Sequence, residues 1–268
     1  WFAGKPRGYR PLVYCWRGGN RSGSLTHVLQ KIGFAAVQLD GGYKAYRRHV
    51  VSELERLPAQ FGFRVVLGPT GSGKSRLLQA LATAGAQVLD LEALAAHRGS
   101  LLGDLPGQPQ PSQKSFESSI WARLRGFDPA RPVFVESESK KIGSLQVPEA
   151  LIRTMRSSPC LRLEVPLAVR VALLIEDYAH FLDDPATVNA RLAHLVTLRG
   201  RETVAAWQAL SQQRAWPALV TALLAQHYDP AYLKSLSHNY APSPADRTLS
   251  LDDVSPASLL RVAQALVD

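Results

Sequence analysis

Short apolar runs alternate with helical apolar spacings along the first two thirds of this chain, and that alternation predicts strands joined by crossover helices. "RPLVYC" reads as a short buried strand, and "SLTHVLQKIG" repeats its apolar residues at helical spacing up to a glycine stop. "FAAVQLDGG" is a second strand closed by paired glycines, and the helical "YKAYRRHVVSELERL" runs as a linker to a break at Pro58. Beyond it "FGFRVVLG" is a strand, "GKSRLLQALATAGA" a helix and "QVLDLE" a strand, a βαβ unit that favours a parallel sheet. "RPVFVESES" and "CLRLEV" supply further strands, with the helix "PEALIRTMRSS" between them. From Pro166 the pattern is helical through "LAVRVALLIEDYAHFL", "VNARLAHLVTLRG" and "AWPALVTALLAQHY", before a stretch rich in Ser, Pro and Asp that is expected to be irregular.

The pattern predicts an α/β protein in three regions: residues 1–57, a parallel-sheet domain over 58–165, and a mostly helical region over 166–268. The polar stretch 97–118, "HRGSLLGDLPGQPQPSQKSFES", is too rich in Gly, Pro and Gln for an ordinary connection and is expected to be a functional loop. No apolar run approaches the ~18 residues of a membrane span and no signal peptide is evident, so a cytoplasmic protein is expected. The chain opens at Trp1 and reaches "PLVYC" almost at once, so it is expected to begin inside a domain. Two cysteines in dissimilar contexts make a disulfide framework improbable and leave thiol chemistry open.

Charge changes the picture because it is lopsided. Residues 1–80 hold 13 Lys/Arg against 3 Asp/Glu, whereas residues 81–268 hold 18 against 19. A basic excess confined to one part of a chain points to a polyanion, whose phosphates bind clustered cations with release of counterions. Lys44, Arg47, Arg48 and His49 form the densest cluster.

Two loops carry candidate chemistry. Gly68, Pro69, Thr70, Gly71, Ser72, Gly73, Lys74 and Ser75 satisfy G-x4-GK[ST] directly after an apolar strand and at the start of a helix. The glycines let backbone amides point at a phosphate, Lys74 reaches its terminal oxygens, and Ser75 offers a hydroxyl to Mg²⁺. Asp90 and Glu136 end later strands and are candidates to hold metal-bound water or act as a base; strand-end capping is the competing role. Arg170 either reaches the phosphates or forms an ion pair on its helix. Earlier in the chain, "YCWRGGNRSGS" sets Cys15 ahead of Arg17 and Arg21 in a C-x5-R loop opening a helix, an arrangement that lowers a thiol pKa and binds oxyanions. Cys160, in apolar "CLRLEV", is expected to be an inert packing residue.

Loops like that of Cys15 occur in C-x5-R phosphatases and in rhodanese-like sulfur carriers, the latter usually one residue shorter. The sequel "VQLDGGYKAY" resembles the closing strand and paired glycines of rhodanese domains, with Tyr46 near the place of a usual tryptophan. Together with the phosphate loop and with "LDLEALAAHRGS", "QPSQKSFE", "VFVESESKKIG" and "HYDPAY", the chain resembles the tRNA 2-selenouridine synthases from about residue 12 to about residue 235. The resemblance implies the C-terminal half of a rhodanese-like domain over 1–57, then a P-loop domain. It implies geranyl transfer from geranyl diphosphate to 2-thiouridine at the tRNA wobble position, followed by replacement of that sulfur with selenium from selenophosphate. An enzyme supplying selenophosphate is an implied partner, and His97, Arg98, Ser112 and Gln113 are implied substrate contacts. Two rival readings are an ATP-dependent kinase with a vestigial rhodanese half and a non-catalytic, nucleotide-sensing RNA-binding adaptor.

Overall fold

The computed structural model describes residues 2–6, 8–100, 103–104 and 107–267. The chain divides between Arg56 and Leu57 into two compact units.

The smaller unit holds β1 (Leu12–Val13), α1 (Asn20–Lys31), β2 (Val37–Gln38) and α2 (Gly42–Arg56). β1 and β2 pair in parallel, Leu12 opposite Val37 and Val13 opposite Gln38. Both strands are shorter than their apolar runs suggest, because each has one neighbour and the Leu12 and Val37 side chains remain exposed. A small core gathers Val13, Leu29 and Ala36 with Phe2 and Phe34.

The larger unit opens with a 3₁₀ turn over Leu57–Gln60, where Pro58 breaks the helix as expected. It continues with β3 (Phe63–Leu67), α3 (Lys74–Thr83), β4 (Gln87–Leu89), α4 (Leu91–Ala95), α5 (Gln113–Arg125) and β5 (Val133–Glu136). A hairpin of β6 (Lys141–Ile142) and β7 (Leu145–Gln146) then leads to α6 (Glu149–Arg156) and β8 (Cys160–Glu164). Helices α7 (Leu167–Asp177), α8 (Pro185–Ala193), α9 (Val196–Arg199), α10 (Arg201–Gln212) and α11 (Trp216–Leu223) follow. A π-helical turn over Leu224–Tyr228, α12 (Asp229–Asn239), β9 (Arg247–Ser250) and α13 (Pro256–Val267) complete the described elements. The five-stranded sheet has the order β4-β5-β3-β8-β9 with every pairing parallel. Central β3 buries Phe63, Val65, Val66 and Leu67 and leaves Arg64 exposed, so its Val65–Leu67 stretch is the apolar run of a strand covered on both faces.

Three expectations need correction. The irregular tail is instead structured: β9 extends the sheet beside β8, and Leu259 and Ala263 of α13 join Leu77, Leu78 and Leu81 of α3 in one buried cluster. Residues 166–268 therefore do not stand apart from the sheet, although Phe181, Leu192, Trp207, Leu219 and Leu223 of the helical part form a core of their own. The expected loop 97–118 ends at α5, whose buried Phe116, Ile120 and Leu124 recur every four residues beneath a polar composition. Leu101, Leu102, Leu105 and Pro106 of that stretch lie outside the described residues. Among the described residues no helix is long and apolar enough to cross a membrane.

Candidate active site

The phosphate loop leaves β3 at Leu67 and wraps to the first turn of α3. Gly73 caps that helix at φ +80°, and Gly71, at φ +79°, packs so close to Leu174 and the Arg170 carbonyl that a side chain has no room. Both positions call for the left-handed backbone that only glycine adopts without strain. Lys74 folds back to donate its Nζ proton to the Gly68 carbonyl at 2.8 Å. The Ser75 hydroxyl donates to Glu92 Oε2 at 2.7 Å, and the Glu92 amide donates to Glu136 Oε1 at 2.8 Å.

Except for Glu136, these groups line a cavity of about 240 Å³ whose other walls include Arg76, Arg98, Ser100, Glu138, Asp177 and Tyr178. Arg76 bonds Asp177 at 2.6 Å, and Arg98 donates to the Asp177 carbonyl at 2.7 Å with its guanidinium 4.9 Å from the Tyr178 ring centre. The cavity adjoins a second one of about 70 Å³ whose accessible wall is apolar, formed by Leu174, Val220, Leu223 and Leu224 with the Tyr178 and Tyr228 rings. Thr70, Ser100, Leu174, Tyr178 and Tyr228 border both.

The carboxylates divide differently from the sequence-based expectation. Asp90 Oδ1 accepts the Ala93 amide at 2.8 Å, so Asp90 caps α4, and burial raises its pKa. Glu136 is 1% exposed and sits behind Glu92; burial first, then the neighbouring Asp90, Glu138 and Glu92 carboxylates, hold it well above the ordinary range. The carboxylates on the cavity wall are Glu92, Glu138 and Asp177, the last of them paired with Arg76. Desolvation, reinforced by Glu92, pushes Glu138 up to about 8.

Arg170 is spent elsewhere. Its Nε donates to the Thr70 carbonyl at 2.9 Å and its other two nitrogens grip Asp229 at 3.0 and 2.6 Å, so it braces the phosphate loop from behind. His97 is buried; its Nδ1 accepts the Gly99 amide at 3.0 Å and its Nε2 lies 3.3 Å from Asp104. Ser112 caps α5, and Gln113 ties that helix to Gln146 of the hairpin. Of the four residues expected to touch substrate in this stretch, Arg98 alone lines the cavity.

In the smaller unit, Cys15 Sγ lies 3.2 Å from Ser22 Oγ on the first turn of α1. Hydrogen bonding from the Ser22 hydroxyl, then from backbone amides including those of Ser22, Arg17 and Gly19, lowers the thiol to about 6. Cys15, Trp16, Arg17, Gly19, Asn20 and Arg21 surround an open recess of about 500 Å³. Burial raises Cys160 to about 11, in keeping with a packing role. Lys44, Arg47, Arg48 and His49 fall on consecutive turns of α2, with Lys44, Arg48 and His49 exposed.

A family profile described as the tRNA 2-selenouridine synthase AAA domain matches residues 61–192. A tRNA 2-selenouridine synthase of Alcanivorax borkumensis is 35% identical over 268 aligned residues, 88% of this chain and 71% of that protein. This chain belongs to the tRNA 2-selenouridine synthase family. Among other members, that of Aeromonas salmonicida is 33% identical over 85% of this chain and 67% of its own length, and that of Nitrosomonas europaea 38% identical over 63% and 44%. A gluconokinase from Sinorhizobium meliloti 1021 matches at a TM-score of 0.32 with 15% identity, covering 76% of this chain and 90% of that one, too weak a likeness to argue from. In this family member, sequence reasoning missed Glu92, Glu138, Tyr178 and Tyr228; Glu92, two residues past Asp90 in "LDLE", was the nearest available signal.

Proposed function

We propose that this chain modifies the wobble uridine of tRNA in two steps: geranyl transfer to 2-thiouridine, then exchange of the geranylated sulfur for selenium. The observation that carries the first step is the pairing of the phosphate cavity with an apolar slot. A diphosphate seated on the Gly68–Ser75 loop would direct the hydrocarbon part of its ester toward Leu174, Val220 and Leu224. An apolar wall suits a geranyl chain and offers little to a ribose or purine, which favours geranyl diphosphate over ATP. The thiocarbonyl sulfur attacks C1 of the geranyl group, the C–O bond breaks, and the uridine N3 proton is lost. The departing diphosphate is stabilised by the loop amides and Lys74.

Mg²⁺ fits this wall: the Ser75 hydroxyl and Glu92 carboxylate, 2.7 Å apart, offer hard oxygen ligands that diphosphate and water would complete. Bound there, it would neutralise charge on the leaving diphosphate.

Selenophosphate, delivered by a selenophosphate-producing enzyme, is received at Cys15, Arg17 and Arg21. Its selenium attacks C2 of the geranylated base, geranylthiol leaves, and water takes the phosphoryl group as phosphate. The lowered thiol and the parallel β1–α1–β2 unit support reading residues 1–57 as the C-terminal half of a rhodanese-like domain. tRNA docks along α2 through Lys44, Arg47, Arg48 and His49, which fits a cytoplasmic enzyme. Incubation of the protein with 2-thiouridine tRNA, geranyl diphosphate and selenophosphate, followed by nucleoside mass spectrometry, should yield geranylated and then selenium-containing uridine. Absence of both products overturns the proposal.

A further inference from the structure

The first half of the phosphate loop is a turn that could be built in two ways. The Ser72 amide donates to the Pro69 carbonyl at 3.1 Å, which closes a β-turn with Thr70 and Gly71 at its centre. Gly71 stands third in that turn at φ +79°, the sign of a type II turn. A type I turn would close the same bond with φ negative at that position; the two forms differ by a flip of the central peptide, here Thr70–Gly71. Glycine takes either sign of φ, so Gly71 itself does not choose between them.

Arg170 makes the choice. It is buried on α7, and its Nε donates to the Thr70 carbonyl at 2.9 Å. Asp229 holds its other two nitrogens at 3.0 and 2.6 Å, so the donor cannot swing away. Asp229 opens α12 directly after the π-helical turn, inside the stretch "HYDPAY". Among the described residues no peptide bond is cis, so the Thr70 carbonyl and the Gly71 amide point to opposite sides of one rigid plane. A carbonyl held toward Arg170 turns the Gly71 N–H away from it. Thr70 and Gly71 line the phosphate cavity, whereas Arg170 and Asp229 do not. A flipped peptide would set a carbonyl dipole, negative end first, where an anion is to sit.

We propose that Arg170, anchored by Asp229, is the lock that keeps the Thr70–Gly71 peptide with its N–H toward the phosphate site, and that this pair thereby sets the affinity of the loop for diphosphate. Both are positioning residues, because they act through the backbone and touch no substrate. The inference rests on the reading of the loop as the diphosphate site and adds to it the side chains that aim one of its donors.

The test uses the full chain and inorganic diphosphate. Thr70–Gly71 is the only Thr–Gly step in the sequence, so protein labelled with ¹³C at threonine carbonyls and ¹⁵N at glycine gives one doubly labelled amide by NMR. The proton of that Gly71 amide should move downfield as diphosphate is added. Replacing Arg170→Met together with Asp229→Leu exchanges the buried pair for apolar side chains, a change that keeps the net charge and commonly spares the fold. The double variant should bind diphosphate roughly tenfold or more weakly, the scale of one hydrogen bond to a charged group, and should lose the Gly71 response while its melting temperature without ligand is held. Diphosphate bound as tightly by the double variant as by the unmodified protein overturns the lock and leaves the diphosphate site standing. A Gly71 amide that fails to respond while the unmodified protein binds diphosphate does the same. Failure of the unmodified protein to bind diphosphate at all overturns the site and the lock together.

Discussion

The Ser75 hydroxyl donates to the Glu92 carboxylate at 2.7 Å, and through that bond the phosphate loop is tied to the buried acids at the ends of the neighbouring strands. Any charge arriving at the loop is therefore felt by Glu92, Glu138 and Glu136. Four expected outcomes follow from this site and the thiol loop.

Glu138 is held up to about 8 from an ordinary 4.5, by burial and then by the Glu92 carboxylate. Between those two values the folded chain keeps a proton that the unfolded chain has released. The contribution of this group to stability is therefore complete below the lower value and falls as pH rises toward the upper one. Glu138→Gln removes the titration, so its melting temperature should decline less than that of the unmodified protein between about pH 5 and pH 8. Parallel declines would show that Glu138 is already ionised near neutrality.

Because the Ser22 hydroxyl is the main group lowering the Cys15 thiol to about 6, the rate of alkylation by iodoacetamide should be half-maximal close to that pH. Ser22→Ala should move the midpoint upward. Cys160, raised to about 11, should stay unmodified at neutral pH and serve as an internal control. A midpoint for Cys15 at the ordinary thiol value would remove the case for a reactive cysteine.

Lys74→Ala should cost geranyl transfer on the order of 10²-fold, since it removes charge stabilisation made mainly as diphosphate departs. Cys15→Ala should still geranylate 2-thiouridine yet fail to install selenium, so geranylated tRNA accumulates. Mass spectrometry of both variants on 2-thiouridine and on pre-geranylated tRNA separates the steps. Equal loss of both reactions in both variants would mean a single composite site.

Val220 lines the apolar slot and not the phosphate cavity. Val220→Phe should fill the slot and displace part of the hydrocarbon tail, raising the KM for geranyl diphosphate by about tenfold at roughly 0.8 kcal/mol per excluded methylene. Inhibition by inorganic diphosphate should be unaltered. If both ligands weaken equally, the tail lies elsewhere.

The phosphate loop was legible in the sequence because its chemistry is local: eight consecutive residues contain the strand exit, the two left-handed glycines, the lysine and the hydroxyl. Carboxylates were harder to place, since Asp90 and Glu92 are two residues apart and the start of α4 decides which one caps the helix and which one faces the cavity. Arg170 could be seen to lie on a helix after the last expected strand, but its pairing with Asp229 crosses 59 residues and has no local signature. Ser112 and Gln113 look like substrate contacts in a polar stretch and turn out to hold α5 and the hairpin in place. α13 carried a readable pattern, Leu259, Val262, Ala263 and Leu266 at helical spacing, masked by the Ser, Pro and Asp before it.

The strand beside β8 is supplied by residues 247–250 and the cover over α3 by residues 256–267. During synthesis, the helix that begins with Lys74 leaves the ribosome long before the segment that packs against it. Domains fold as units while the chain emerges in order, so the core shared by Leu77, Leu78 and Leu81 with the sheet stays incomplete until Leu259 and Ala263 arrive. That interval exposes apolar surface to chaperones and proteases. A chain released before Arg247 would lack both the fifth strand of the sheet and the helix that closes the core over α3.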